Sequence, residues 1–465
     1  MAHPTIAGAS SIAGLLADRA LRVIGPKDAE YDQARKLFYG NVPDRRPAAI
    51  VRPANATEVA GIVSFARERG IELAVRSGGH SVVGHSTSEG GIVLDLAAMK
   101  SLEIDVADRT AWAETGLTAA ELTTALGAHG LAIGFGDTGS VGIGGITLGG
   151  GVGYLVRKFG LTIDSLLAAD IVTAEGRTLR VDATSHPDLF WAIRGGGGNF
   201  GVATRFQYRL HEVPQIVGGM LLLPATVESV AGFIAAAEAA PEELSTIANV
   251  MIAPPMPFVP AEHHGKLGIM ALMCYAGDAA SGERAVAPFR ALATPFVDLV
   301  KRMTYPEMYP PEDPAYHPVA AGRTLFVDRI DRGVARTILE HIEAHMRGSK
   351  AQLAVAQLRV LGGAAARVPA DATAYAHRAS RIMVNVAALY DPASDDAAVH
   401  EAYVDEFAGA LRQRDTGVYV NFLTGDDEAH VRAAYPGGTW DRLASVKRRY
   451  DPTNLFRLNQ NIPPA

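Results

Sequence analysis

The sequence predicts an α+β fold, and two contrasting textures carry that expectation. Up to about residue 212, short apolar runs empty into turns crowded with glycine. From about Val213, longer apolar runs alternate with helix-like stretches, and no glycine loop follows them. The second texture suits an antiparallel sheet with helices on one face. A last segment, from about residue 422 to Ala465, follows without linker composition.

Residues 1–45 read as an opening helix and a loop ending in the turn Asp44-Arg45-Arg46-Pro47, and residues 48–51 are apolar enough for a first strand. Asn55 with Glu58 three residues on is a capping-box pattern. Val59, Ile62, Val63 and Ala66 share one helical face, which Gly70 terminates. The apolar run 71–75 predicts a short buried strand, so a β–α–β unit delivers the chain into Arg76-Ser77-Gly78-Gly79-His80-Ser81. Two glycines let backbone approach a bulky ligand, and successive N–H groups in such a turn form an anion-binding nest suited to a phosphate pair. Arg76 would add a planar donor fork, and His80 would be a ligand contact or an attachment point. Those six residues alone leave open a tight turn with a surface histidine.

Strands at 92–94 and 110–114 follow, then a helix with Thr118 and Glu121 as its capping box and Gly130 as its stop. Residues 134–154 contain ten glycines, too many for a packed element, yet Val141, Ile143, Ile146 and Leu148 make the stretch too apolar for a solvated linker. A buried loop lying flat against a large ligand fits it. A short helix to Lys158, strands at 168–173 and 178–181 about the Glu175-Gly176 turn, and a helix at 187–194 precede a third glycine run, 195–198. Val202, Thr204, Phe206, Tyr208 and Leu210 then recur at period two, which predicts a strand with one buried face. Two segments match GxGxxG, 134–139 and 196–201. A dinucleotide fingerprint must leave a strand and open a helix, and the second does the reverse, so a nicotinamide Rossmann site is rejected.

Beyond Val213, strands are expected at 219–223, 247–252, 267–275, 353–361 and 382–390, with helices at 227–240, 282–292, 334–346 and 397–411. The Pro-rich stretches 254–260 and 306–318 are loops. Around the second, Tyr305, Tyr309, Tyr316 and His317 either line a pocket or stiffen the surface. A helix at 439–449 leads to the closing run from Tyr450 to Pro463.

Composition narrows the function. A net charge of −7, with 43 basic against 50 acidic residues, offers no basic face for nucleic acid or an anionic membrane, which leaves small-molecule chemistry. The one cysteine, Cys274, excludes an internal disulfide and a CxxC site and is expected to be an inert core thiol. No uninterrupted apolar run is long enough to span a bilayer, and the first residues lack a basic, then apolar, leader pattern, so a cytoplasmic address is expected. His263-His264 lacks a third ligand and is not expected to bind metal. No coiled-coil heptad speaks to the oligomeric state.

Five separated motifs, in order, carry a resemblance. They are Arg76-Ser-Gly-Gly-His80-Ser81; Val141-Gly-Ile-Gly-Gly with Gly149-Gly-Gly151-Val-Gly153; Asp188-Leu-Phe-Trp191-Ala-Ile-Arg194 running into Gly195–Gly198 and Asn199-Phe-Gly201-Val202; Tyr419-Val-Asn421-Phe422; and Tyr450-Asp-Pro-Thr-Asn454-Leu-Phe456. Together they resemble the berberine bridge enzyme-like oxidases, of the vanillyl-alcohol oxidase type of FAD proteins. The resemblance implies an FAD-binding domain in two parts, 1–212 and 422–465, with the insert 213–421 as a substrate domain.

It also implies roles. FAD would be tethered through the histidine that His80 matches, with Arg76, Ser77, Gly78, Gly79 and Ser81 at the pyrophosphate and the loop 141–153 along the flavin ring. Gly142, Gly144, Gly145, Gly150, Gly153, Gly198, Val202 and Asn459 are further cofactor contacts on this reading. Many relatives add a second tether from a cysteine, and that position here is Thr138, so one covalent link is expected. A tether raises the flavin potential and favours taking hydride from a difficult donor. Val141 matches the residue near the point of oxygen attack, where a small side chain suggests an oxidase making hydrogen peroxide; loop packing is its other reading.

Tyr419 matches a tyrosine that some relatives use as base, a sheet aromatic being its other reading, and Asn421, two residues on, would share its side of a strand and orient substrate or flavin. Tyr390 and Asp391 are lesser candidates for substrate contact, and His85 for support of the site. The donor would be an alcohol, amine, sugar or polyketide-like molecule, with dioxygen as acceptor. A flavin dehydrogenase using another acceptor, an enzyme working through a flavin–oxygen adduct, and a flavin-binding protein without activity stand as alternatives.

Overall fold

The structure is a computed structural model that describes residues 12–17, 21–40, 42, 44–425 and 428–465. Part of the expected opening segment, residues 1–11 and 18–20, lies outside the described residues.

The first sheet grows from the expected β–α–β unit. Asn55 Oδ1 accepts from Glu58 N at 3.0 Å and Glu58 Oε2 accepts from Ala54 N at 2.8 Å, which starts the helix Ala56–Arg69. Gly70, at φ 62°, ends it in the left-handed conformation. The helix buries Val59, Ile62, Val63, Phe65 and Ala66 against the sheet. Strands Ala49–Val51 and Leu73–Arg76 flank Ile92–Asp95 and run parallel to it, and Val23–Ile24 adds an antiparallel edge.

A second sheet of five antiparallel strands has the order Leu102–Asp105, Thr110–Glu114, Val202–Arg209, Leu166–Val172, Thr178–Asp182. Phe206 and Tyr208 are buried while Arg205 and Gln207 are less so, the alternation the sequence predicts. Thr118 and Glu121 form their reciprocal capping box ahead of the helix Ala119–Gly127.

The glycine-rich stretch is not a flat loop throughout. Ile143–Gly149 is a helix, because Ile143 and Thr147, four residues apart, turn together into the core. Its glycines serve close approach: a Cβ on Gly149 would lie 2.0 Å from Asn421 Oδ1.

From Ile216 onward the chain builds an eight-stranded, wholly antiparallel sheet. Its order is Val297–Asp298, Ile216–Pro224, Leu267–Tyr275, Leu244–Ile252, Leu353–Val360, Ile382–Leu389, Ala320–Val327, with Lys301–Met303 also pairing Ile216–Pro224. Ala354, Ala356, Leu358 and Val360 pack with residues of the helices Val227–Ala239, Arg332–Gly348 and Ala397–Leu411. Gln357 and Arg359 alternate onto the opposite face. The strand Ala320–Val327 is absent from the sequence reading. It is an edge strand whose first half is broken by Gly322, Arg323 and Thr324, and its register comes from pairing with Ile382–Leu389.

The C-terminal helix Thr439–Tyr450 packs against Pro187–Ala192 and Gly197–Phe200. It is locked there by Lys447, whose Nζ donates to Asn199 O at 2.7 Å, Asp451 Oδ2 at 2.7 Å and Phe456 O at 2.9 Å. Among the described residues no helix is long and apolar enough to cross a membrane.

Candidate active site

One cavity joins these parts. It runs from the core beneath the first sheet, at Val75, Leu96 and Phe456, past the Ser77–Ser81 turn, to Val152, Tyr419 and Phe422. Ser77 anchors the turn: its Oγ donates to Thr115 O at 2.6 Å and accepts from Gly144 N at 3.2 Å. Gly78 and Gly142 meet backbone to backbone, and a Cβ on Gly78 would come within 2.2 Å of Gly142 N. Gly79 follows at φ 72°, a left-handed residue that glycine adopts without strain.

The turn presents His80 at the cavity wall. Its ring stacks on Phe38, with centroids 4.0 Å apart and planes 19° apart, and Nε2 lies 3.0 Å from Ser140 Oγ. Burial, only partly opposed by the Glu312 carboxylate and by Ser140, lowers its pKa to about 4. The imidazole is therefore neutral at ordinary pH and keeps a lone pair on one nitrogen.

Further along the cavity stands Tyr419. Its phenol oxygen accepts from Gly151 N at 3.0 Å and from Asn421 Nδ2 at 2.9 Å. Two N–H groups aimed at one phenol oxygen occupy its lone pairs and favour its anion. Burial still prevails and holds the pKa above the ordinary value, with those two donors, the Val152 N–H and Arg359 pulling it down. The pair does not sit on a strand: Val420–Phe422 is a single 3-10 turn, which folds Asn421 back onto Tyr419.

Several expected residues border this cavity: Ser77, Gly78, Gly79, His80 and Ser81 from the turn, Thr138, Val141, Gly142, Gly144 and Gly145 from the glycine-rich stretch, then Gly198, Val202, Asn459, Tyr419 and Asn421. His85 lines it as well.

Others are placed elsewhere. Arg76 does not extend its fork into the cavity; Nη2 donates to Asp95 Oδ2 at 3.0 Å and to Ala34 O at 2.7 Å behind the turn. The buried Asp95 carboxylate claims it, as a buried charge requires. Burial pushes the Asp95 pKa up, but Arg76 and Arg52 more than offset that and hold it below the usual range. Gly150 and Gly153 lie behind the cavity wall. A Cβ on Gly153 would strike Phe135 O, and one on Gly150 would press on Tyr375. Tyr390 stacks on His400 in the core under the helices, and Asp391 caps its own turn through Ala393 N. Tyr305 and Tyr309 are buried, the latter donating to Gly136 O at 3.0 Å, while Tyr316 is exposed. Cys274 is fully buried, which pushes its thiol pKa up. No metal-binding cluster occurs among the described residues, and His264 bonds Val259 O instead.

Sequence reasoning missed part of the wall. Phe38, Tyr39 and Asp137 border the cavity, and Arg359 reaches from the eight-stranded sheet to hold Asp137 at 2.7 Å. Burial and the Asp137 charge push Tyr39 up to about 12, so it is a neutral phenol. Asp137 lies inside the glycine-rich stretch beside Thr138, but no local pattern announces its meeting with Phe38 and Tyr39 or with Arg359, which come to it only through the fold.

Residues 47–182 match the model of an FAD binding domain, and residues 418–463 match that described as berberine and berberine like. Over 454 residues the chain is 30% identical to (R)-6-hydroxynicotine oxidase of Paenarthrobacter nicotinovorans, spanning 95% of this chain and 96% of that one. The chain belongs to the berberine bridge enzyme-like FAD-linked oxidoreductases. Solved structures of this family superpose along nearly the whole chain. The 6-hydroxy-D-nicotine oxidase of Arthrobacter nicotinovorans aligns with a TM-score of 0.83 at 27% identity, covering 96% of this chain and 98% of that one. Xylooligosaccharide oxidase from Myceliophthora thermophila in complex with xylobiose aligns with a TM-score of 0.84 at 25% identity, covering 98% and 100%.

The residues present fit the family's cofactor. Asn459 borders the cavity with a buried Oδ1 that no protein group satisfies, and a Cβ on Gly145 would meet nothing within 4 Å. A large ligand with hydrogen-bonding groups accounts for both.

Proposed function

We propose that the protein is an oxidase that removes hydride from a small organic donor onto FAD tethered once, through His80, with dioxygen as the final acceptor. The observation that carries this reading is the Tyr419 phenol in the cavity wall. Its lone pairs are filled by Gly151 N–H and Asn421 Nδ2, so its own hydrogen is left for a molecule in the cavity. In that position the neutral phenol donates to a bound molecule, and once it has lost that hydrogen, on the alkaline side, the Tyr419 anion can take the hydroxyl or amine proton of a donor as the neighbouring C–H is oxidised.

Bound FAD would supply the hydride acceptor and pass the electrons to dioxygen, giving hydrogen peroxide. Ser77, Gly78, Gly79 and Ser81 would hold the pyrophosphate on their backbone turn, and Asn459 Oδ1, an acceptor, would take a hydrogen from a hydroxyl or N–H group elsewhere on the cofactor. Thr138 carries no sulfur, which supports a single link. Val141 keeps the cavity wall slim where dioxygen would enter.

The aromatic walls, Phe38, Tyr39 and Phe422, with the Asp137–Arg359 pair as a compensated polar patch, favour a compact, largely apolar donor with one polar centre. Similarity to an oxidase named for 6-hydroxynicotine puts cyclic amines first, and similarity to one named for xylooligosaccharides puts sugars second.

The test is anaerobic mixing of the yellow enzyme with panels of cyclic amines, alcohols and oligosaccharides, followed by peroxide measurement in air. Flavin bleaching by one class, with one peroxide per donor oxidised, is expected. Bleaching without peroxide, but with reduction of an artificial dye, would replace the oxidase by a dehydrogenase.

A further inference from the structure

Glu312 belongs to the Pro-rich loop, far from the glycine-rich stretch in sequence, yet it is drawn onto it. Its Oε1 accepts from Gly139 N at 2.6 Å and from Ser140 N at 3.2 Å, while its Oε2 accepts the Ser140 hydroxyl hydrogen. Ser140 Oγ is in turn 3.0 Å from His80 Nε2. The directions of these bonds follow from chemistry. A carboxylate only accepts, so the Ser140 hydrogen points to Glu312, and Ser140 Oγ must accept from His80. The hydrogen of the neutral imidazole is thereby held on Nε2, and the lone pair lies on Nδ1. Phe38, stacked on the ring, fixes its plane.

We infer that Ser140 and Glu312 are positioning residues for formation of the flavin tether, holding the His80 hydrogen on Nε2 and drawing it off as Nδ1 bonds to the flavin methyl carbon. The inference rests on the reading that His80 is the anchor. In the step a C–N bond forms, the methyl carbon and the imidazole each give up a proton, and two electrons pass into the flavin. Dioxygen takes those electrons and two protons as hydrogen peroxide, so the sum balances. Glu312 remains largely exposed, so a proton reaching it through Ser140 passes on to water.

The variants separate this role from loop support. Glu312→Gln keeps an acceptor oxygen for Gly139 N–H and Ser140 N–H but loses the charge. Ser140→Ala breaks the chain of hydrogen bonds, and Ser140→Thr restores it. Full-length wild type, these variants and His80→Ala are produced under riboflavin limitation and mixed with FAD in air. The flavin that stays with acid-precipitated protein is followed over time and located by peptide mass. Wild type and Ser140→Thr are expected to reach one FAD per chain on His80. Ser140→Ala and Glu312→Gln should attach it at least tenfold more slowly while binding FAD non-covalently as before. Attachment at the wild-type rate in both slow candidates overturns the inference and leaves the tether standing. Release of all flavin from acid-treated wild type overturns the tether and this inference with it.

Discussion

Arg359 Nη2 holds Asp137 Oδ2 at 2.7 Å, and the bond ties the eight-stranded sheet to the glycine-rich stretch across the cavity wall. Arg359 also donates to Val152 O and to Gln357, and its guanidinium faces the Phe422 ring. Such a group is expensive to unpair: removing one partner of a buried ion pair typically costs about 3 to 5 kcal/mol. Arg359→Met is therefore expected to destabilise by about 3 kcal/mol, the lower figure because Asp137 retains some contact with water. Asp137→Asn should cost less, since the amide can still accept. Chemical denaturation of the two variants and the double variant checks this. A double variant no more stable than the sum of the singles would show that the two groups are not coupled.

Tyr419→Phe removes the phenol and leaves the ring in place. If Tyr419 takes the donor's proton, kcat/KM falls by about 10²- to 10⁴-fold, with FAD content unchanged. The pH dependence carries a sign. Burial holds the Tyr419 pKa above its ordinary value against its hydrogen-bond donors, so activity should climb with rising pH toward a limb on the alkaline side. Asn421→Leu deletes one donor, raises that pKa further and moves the limb to higher pH. Stopped-flow flavin reduction across pH reads both effects, and a limb that stays put in Asn421→Leu would remove Tyr419 from the base role.

What the sequence disclosed and withheld follows from range. The β–α–β unit, its caps at Asn55 and Gly70 and the turn into His80 are local, written in residues within a few positions of one another. The alternation in Val202–Arg209 and the long apolar runs of the large sheet are local too. Arg76 misled because the residue that claims it, Asp95, lies on another strand. Glu312 and Ser140 are 172 residues apart, and no periodicity reports such a meeting. The Tyr419–Asn421 pair was legible as a motif but not as a geometry, because a spacing of two suits a strand and a 3-10 turn alike.

Val141 borders the same cavity as His80 and Tyr419. Lengthening it by one methylene, in Val141→Ile, fills space on the wall without adding a polar group. The rate of flavin reoxidation by dioxygen is expected to fall at least tenfold, equivalent to about 1.4 kcal/mol of barrier, while reduction by the donor and turnover with a dye persist. Equal loss in both half-reactions would mean that Val141 shapes the donor's site and not the path of dioxygen.

Acid sensitivity should arise at buried histidines, at His80 in the cavity wall and also away from the cavity. Beneath the helices, His345 Nε2 is 2.9 Å from His400 Nδ1, and His400 Nε2 is 3.0 Å from Asp395 Oδ2. Tyr403 stacks on His345 and Tyr390 on His400. Burial, then the neighbouring His400, lower the His345 pKa from 6.5 to about 4, with Asp395 opposing. The unfolded chain thus binds a proton that the folded one refuses. The stabilisation is complete above about pH 6.5 and is lost as pH falls toward about 4. His211, lowered to about 4 by burial and by Arg209, Arg109 and Lys158, adds a slope of the same sign. His345→Gln is therefore expected to flatten, without abolishing, the fall of Tm between pH 6.5 and 4. A slope as steep as wild type would place the acid-sensitive group elsewhere, with His211→Gln the next variant to melt.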